Sequence, residues 1–110
     1  MKNTAVDASL AALADPQRRR VVDLLSERPR RAGELAEALG ISAPAMSRHL
    51  RTLKKAGLVA ADHPEFDGRV RIYTLRREGM AALKQWLDQA DAMWVRQLAS
   101  FKDHLESGGR

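Results

Sequence analysis

Ser42, Ser47, Arg48, His49, Arg51 and Lys55 stand in one short stretch, and together they offer hydroxyl, imidazole, guanidinium and ammonium groups. Those groups suit hydrogen bonding to base edges and to phosphate oxygens. They suit nucleophilic catalysis poorly. Ser47 and His49 are two positions apart, so on a helix they point in different directions, and no carboxylate is placed to orient the imidazole. Elsewhere the chain has no glycine-rich phosphate loop, nucleophile motif or paired-carboxylate arrangement, and its 110 residues are few for most enzyme folds. The expectation is a binding protein, not an enzyme.

The elements around these residues are legible from their own punctuation. Gly33 to Leu58, GELAEALGISAPAMSRHLRTLKKAGL, reads as two short helices about a tight turn. The first carries Leu35, Ala36 and Leu39 on one face and ends at Gly40, a residue that adopts a left-handed conformation without steric cost. Ser42 then stands where an N-cap belongs, and Pro44 is tolerated in the first turn of the second helix. Met46, Leu50 and Leu53 follow at i, i+4 and i+7, an apolar stripe for a core. The opposite face offers Pro44, Ser47, Arg48, Arg51 and Lys55. A helix with a small polar tip and a cationic flank is suited to the major groove of DNA, so the pair reads as a helix-turn-helix.

Charge placement agrees with that reading. From Pro16 to Leu58 there are ten Lys and Arg against four Asp and Glu, a local +6 in a chain whose total is +5. The segments on either side are neutral or slightly acidic. Such clustering makes a positive field that attracts phosphates and releases their counterions. An anionic membrane surface could use the same charge, but no segment is apolar enough to insert.

Val59 to His63 and Arg69 to Leu75 form a candidate hairpin with Asp67-Gly68 at its bend. Val70, Ile72 and Thr74 alternate with Arg69, Arg71 and Tyr73, which predicts the first set covered and the second open. A hairpin beside a recognition helix is a wing, and Arg69 and Arg71 could reach phosphates or an adjacent minor groove from it. Asp62, Glu65 and Asp67 read as solvated hairpin residues.

From about Glu78 to Glu106 a third pattern takes over. Met80, Leu83, Leu87, Ala90, Trp94, Leu98, Phe101 and Leu105 recur at steps of three or four. A helix of that length would span about 43 Å, more than a domain of this size needs internally. A stripe that outruns its own core is most simply buried against another chain. A two-fold homodimer is therefore expected, its interface formed by Leu83, Leu87, Ala90, Trp94, Leu98, Phe101 and Leu105, with Leu10 and Leu13 of an N-terminal helix joining them. Symmetric pairing would set two recognition helices one helical turn apart on a palindrome.

LADPQRRRVVDLL, GELAEALGISAPAMSRHLRTLKKAGLV and DGRVRIYTL together resemble the winged helix-turn-helix repressors of the arsenic-repressor (ArsR) family over roughly Leu10 to Leu75. The long tail with Trp86 and Trp94 is similar to a metal-independent branch of that family. The resemblance implies a mainly α fold of about five helices plus a β-hairpin wing. It also implies dimerisation through the first and last helices, and repression of a nearby operon from a double-stranded DNA operator. On that reading residues 1–110 are a single domain, with a DNA-binding core over about 10–75 and a dimerisation helix over 78–106.

Departures from the family pattern shape the expected site. Where members commonly place Ser or Thr before the first helix of the motif, this chain has Arg31; that forfeits a cap worth about 1 kcal/mol and could supply a phosphate contact instead. Where many carry Gln early in the recognition helix, this chain has Ala43, which offers a methyl group for thymine or simple clearance. The expected DNA-contacting set is Arg31, Ser42, Ala43, Pro44, Ala45, Ser47, Arg48, His49, Arg51, Lys55, Arg69 and Arg71, with base readout leaning on Ser47, Arg48 and His49. His49 either donates to a phosphate or holds the recognition helix in register.

No metal or cofactor is expected. The chain has no cysteine, so the family's thiolate site cannot form. Its last-helix site needs Asp, His, His and His or Glu at offsets 0, +2, +13 and +16. From Asp88, only His104 at +16 fits, with Ala90 and Phe101 between; from Asp91, only His104 at +13 fits, with Met93 and Ser107 at the other positions. His63 and His104 read as surface residues. Trp86, Met93, Trp94 and Phe101 read as packing rather than as a ligand box. The input that relieves repression, a small molecule or a protein, is not named by the sequence.

MKNTAVDAS lacks an apolar h-region, no transmembrane span is apparent, and the absence of cysteine fits a reducing compartment, so a cytoplasmic location is expected. A rival class of function is an interaction module that pairs with a second protein through Trp86 to Leu105. The basic cluster favours DNA, because docking to a protein does not require such a charge on one element.

Overall fold

The computed structural model describes residues 4–62 and 71–108. Five helices and three short strands follow in the order α1 (Thr4–Ala12), α2 (Pro16–Glu27), β1 (Arg30–Arg31), α3 (Ala32–Leu39), α4 (Ala43–Lys55), β2 (Val59–Asp62), β3 (Ile72–Leu75) and α5 (Arg77–Asp103). A wider π-type turn over His104–Gly108 continues α5.

The helix boundaries are set by local chemistry. Asp15 caps α2, its Oδ1 accepting from the backbone N–H groups of Gln17 at 2.8 Å and Arg18 at 3.2 Å, with Pro16 in the first turn. Gly40 ends α3 at φ 67° and ψ 34°, a left-handed conformation that lets the Ile41 N–H return to the Ala36 carbonyl at 3.1 Å. Two residues later the Ser42 hydroxyl accepts from the Ala45 N–H at 3.2 Å and starts α4. Arg31 precedes α3 without an acceptor to offer; there the Glu34 carboxylate reaches back to the Arg31 N–H at 3.2 Å.

The core sits where α2, α3, α4 and the sheet converge. Val21, Leu35, Met46, Leu50, Leu53, Leu58 and Val59 are fully enclosed, so the stripe read along the recognition helix is the central seam of the fold. Val6, Ser9 and Ala12 fasten α1 onto the body.

β2 and β3 form the expected antiparallel hairpin, in the register Val59 to Leu75 through Asp62 to Ile72. The bend at Asp67-Gly68, together with His63, Arg69 and Val70, lies outside the described residues. A third strand was not foreseen: Arg30 and Arg31 pair with Tyr73 and Ile72 along the other edge of β3, giving the order β1-β3-β2. The faces of β3 also correct the sequence reading. Tyr73 is buried, while Ile72 and Thr74 are only half-covered. Alternation gives the period of a strand but not which face turns inward, and the Tyr73 ring, the largest apolar area available on β3, takes the core side.

α5 begins inside this body and leaves it. Leu83 is buried, but Leu87, Met93, Trp94, Val95, Leu98, Phe101 and Leu105 are all exposed. The radius of gyration, 19.2 Å, exceeds the roughly 13 Å of a compact chain of this length, and the longest dimension is 71 Å. Among the described residues no helix is long and apolar enough to cross a membrane.

Candidate nucleic-acid interface

The buried stripe of α4 fixes which way the rest of that helix looks. With Met46, Leu50 and Leu53 inward, Pro44, Arg48, Arg51 and Lys55 fall on the opposite side at 3.6 residues per turn, and all four are exposed. Ser42, Ala43 and Ser47 are exposed near the N-terminal end, and Ala45 is half-buried. Arg31 is exposed ahead of α3.

One side of α4 faces the wing. Ser47, Arg51 and Lys54 share a polar cleft of about 270 Å³ with Arg71 and Tyr73. Arg71, which immediately precedes β3, and Tyr73 line the same cleft. Lys54 is absent from the DNA-contacting set read from the sequence. Its membership depends on the packing of β3 beside α4, which no local pattern encodes.

The other side of α4 faces α2. The imidazole of His49 is held between two residues there: Nε2 lies 2.8 Å from Gln17 Oε1, and Nδ1 lies 3.3 Å from Arg18 Nη1. Arginine has donors only, so Nδ1 accepts from Arg18 and Nε2–H donates to Gln17. Both ring nitrogens are thereby engaged with α2. That arrangement suits the helix-holding role for His49 better than a contact to DNA.

Ion pairing separates the cations of this region into two groups. Arg28 pairs with Glu34 at 3.2 Å and Arg30 with Glu27 at 2.6 Å. The Arg31 N–H and then the Arg28 guanidinium hold the Glu34 carboxyl below its ordinary range. Arg31, Arg48, Arg51, Lys54, Lys55 and Arg71 make no ion pair among the described residues. Two of the four acids of the basic segment, Glu27 and Glu34, are therefore occupied away from α4, and the cations of α4 together with Arg71 stay unpaired among the described residues. Such a surface can neutralise phosphates while Ser47 and Arg48 reach base edges.

The residues expected at a dimer contact fall into two classes. Leu10, Leu87, Trp94, Leu98, Phe101 and Leu105 are exposed, whereas Leu13 and Ala90 are half-buried and Leu83 is buried within its own chain. Among the described residues no group of three or more His, Asp or Glu side chains is gathered to hold a metal ion.

Comparison with known proteins agrees with this geometry. Residues 15–61 match the family described as bacterial regulatory protein, arsR family. The chain is 42% identical over 103 residues to the HTH-type transcriptional regulator Rv2034 of Mycobacterium tuberculosis (strain ATCC 25618 / H37Rv), covering 94% of this chain and 91% of that protein. It is 36% identical over 76 residues to the transcriptional repressor SdpR of Bacillus subtilis (strain 168), covering 69% and 81%. In structure it resembles an ArsR-like transcriptional regulator from Rhodococcus sp. RHA1, with a TM-score of 0.78 at 28% identity and coverage of 94% and 95%. These matches and the winged helix-turn-helix fold are those of a DNA-binding transcriptional regulator rather than an enzyme, and the chain belongs to the arsR family of bacterial regulatory proteins.

Proposed function

We propose that this protein is a repressor that binds a palindromic DNA operator as a homodimer in the cytoplasm. The carrying observation is the unpaired cationic face: Arg48, Arg51, Lys54 and Lys55 on α4 beside Arg71, none of them in an ion pair among the described residues. In this reading Ser42 to Arg51 enter the major groove, Ala43 and Pro44 provide close approach, and Ser47 and Arg48 read bases. Arg51, Lys54, Lys55 and Arg71 take phosphates, as does Arg31 from the start of α3. Arg69 extends the wing contact, and His49 keeps α4 seated on α2.

The dimer forms through α1 and α5. Leu87, Trp94, Leu98, Phe101 and Leu105 follow one another along the projecting helix, and an apolar stripe of that length is stable in water only when covered. Leu10 extends it, while Leu13, Leu83 and Ala90 support it from behind. A two-fold axis through α5 presents two copies of α4 to successive major grooves. The Bacillus subtilis relative is named a transcriptional repressor, which supports the same direction of control here.

Fluorescence anisotropy of the purified protein on a duplex from its own promoter, against a scrambled duplex near physiological salt, tests this reading. A preference of about a thousandfold or more is expected of a specific operator binder. Weak and equal binding to both duplexes would reduce the cationic face to a nonspecific electrostatic surface.

A further inference from the structure

We propose that the cleft between α1, α2 and the C-terminal half of α4 is an effector site for a small amphipathic carboxylate, with Arg18 relaying its occupancy to the recognition helix. The cleft has a volume of about 390 Å³, within the range of small-molecule sites. Its walls include Ala8, Ala11, Ala12 and Ala56, whose methyl side chains leave the space between helices unfilled. Arg18 and Lys55 supply two positive charges at the same cleft, and no carboxylate lines it. An apolar floor under two cations matches a hydrocarbon body ending in one anionic group.

Arg18 is already committed to the protein. Its Nε donates to the Ala12 carbonyl at 2.6 Å and its Nη1 to His49 Nδ1 at 3.3 Å, so one guanidinium joins the end of α1 to the middle of α4. Two of its five N–H donors are used in these contacts, and a carboxylate that takes the remaining ones draws the planar group toward the cleft and away from His49. Binding then withdraws a donor from His49 and loosens α4 on α2, which lowers DNA affinity. The regulatory half of this proposal rests on the DNA-binding reading above. Dimerisation leaves the cleft accessible, because at 100° per residue Leu10 leaves α1 on the flank opposite Ala8, across the buried line of Val6, Ser9 and Ala12.

The test uses the full-length ¹⁵N-labelled protein and three probes: sodium octanoate, sodium acetate and 1-octanol. Octanoate should produce saturable amide shifts centred on Ala8, Ala11 and Ala56; acetate should not, and octanol should bind about tenfold more weakly for want of the charged contact. Arg18→Gln should weaken octanoate by about tenfold, and Ala11→Trp, at an exposed helical position, should fill the cleft and abolish the response. Saturating octanoate should lower affinity for the specific duplex by about tenfold in the wild type and leave Ala11→Trp unaffected. Octanoate shifts that map to α5, equal binding of octanol, or an undiminished response in Ala11→Trp would overturn the site. A protein that binds octanoate in the cleft but no specific duplex would overturn the DNA reading and the relay together, leaving the site itself standing.

Discussion

Gly79, in the first turn of α5, lies directly against the carbonyl oxygen of Gly57, the second residue after the end of α4. A Cβ built at position 79 would collide with that oxygen and reach within 3.0 Å of the Gly57 carbonyl carbon, both of them backbone atoms that no rotamer change can move aside. The direction in which α5 leaves the body is thus set by contact with the turn that ends the recognition helix. Gly79→Ala should destabilise the fold by about 1–3 kcal/mol, the usual cost of overpacking, even though alanine favours helix. Urea denaturation of the two proteins measures this. An unchanged midpoint would mean that the approach of α5 to Gly57 is not a constraint.

Asp15 ties stability to pH. Burial acts to raise its pKa, but the Arg18 and Gln17 backbone N–H groups, together with the charge of Arg18, outweigh it and hold the carboxyl below its ordinary range. A carboxylate depressed in the folded state contributes stability that is present above the unfolded pKa and lost as pH falls through the folded value. Glu34 is depressed in the same direction and titrates in the same acid window. Asp15→Asn keeps the capping oxygen and removes the titration. Its urea midpoint should therefore fall less steeply than the wild type's as pH drops below about 4. Parallel profiles would show that the cap does not carry the acid sensitivity.

What could be read from the sequence was what neighbouring residues decide among themselves. Gly40, Ser42 and the Met46–Leu50–Leu53 stripe each depend on partners within a few positions, and each stands in the structure where its local chemistry puts it. The features that escaped depend on distant partners. Arg30 and Arg31 carry no strand pattern and become a strand only because β3 offers them a free edge. Tyr73 turns inward because the sheet packs onto the helical core, and the same tertiary arrangement brings Lys54 and Arg71 to one cleft. His49 finds its partners 31 and 32 positions earlier in the chain. The glycine at 79 announces neither a turn nor a cap, since its role is defined by Gly57 alone.

Base-reading and phosphate-binding residues should separate by salt and by sequence. Arg48 points directly away from the core of α4, so Arg48→Ala should weaken binding to the specific duplex more than to a scrambled one. Lys54→Ala and Arg71→Ala alter the cleft beside the wing and should lower affinity for both duplexes alike, each reducing the slope of log affinity against log salt by about one. Anisotropy titrations at several salt concentrations separate the two behaviours. Uniform loss in Arg48→Ala, or an unchanged slope in Lys54→Ala, would reassign those residues.

Trp94 offers the sharpest separation of assembly from folding. The residue stands 59% exposed on the part of α5 that projects beyond the core, so replacing it disturbs little within the chain. If α5 pairs with a second copy, Trp94 lies in the middle of the apolar stripe, and a charge there would be buried without a partner. Trp94→Glu should therefore keep the helical circular dichroism of the wild type while halving the mass seen by light scattering. Loss of the dimer should also cost operator binding far more than nonspecific binding, because only the paired protein engages two half-sites at once. A mass equal to the wild type's would remove Trp94 from the interface. A halved mass with operator affinity intact would show instead that a single recognition helix suffices.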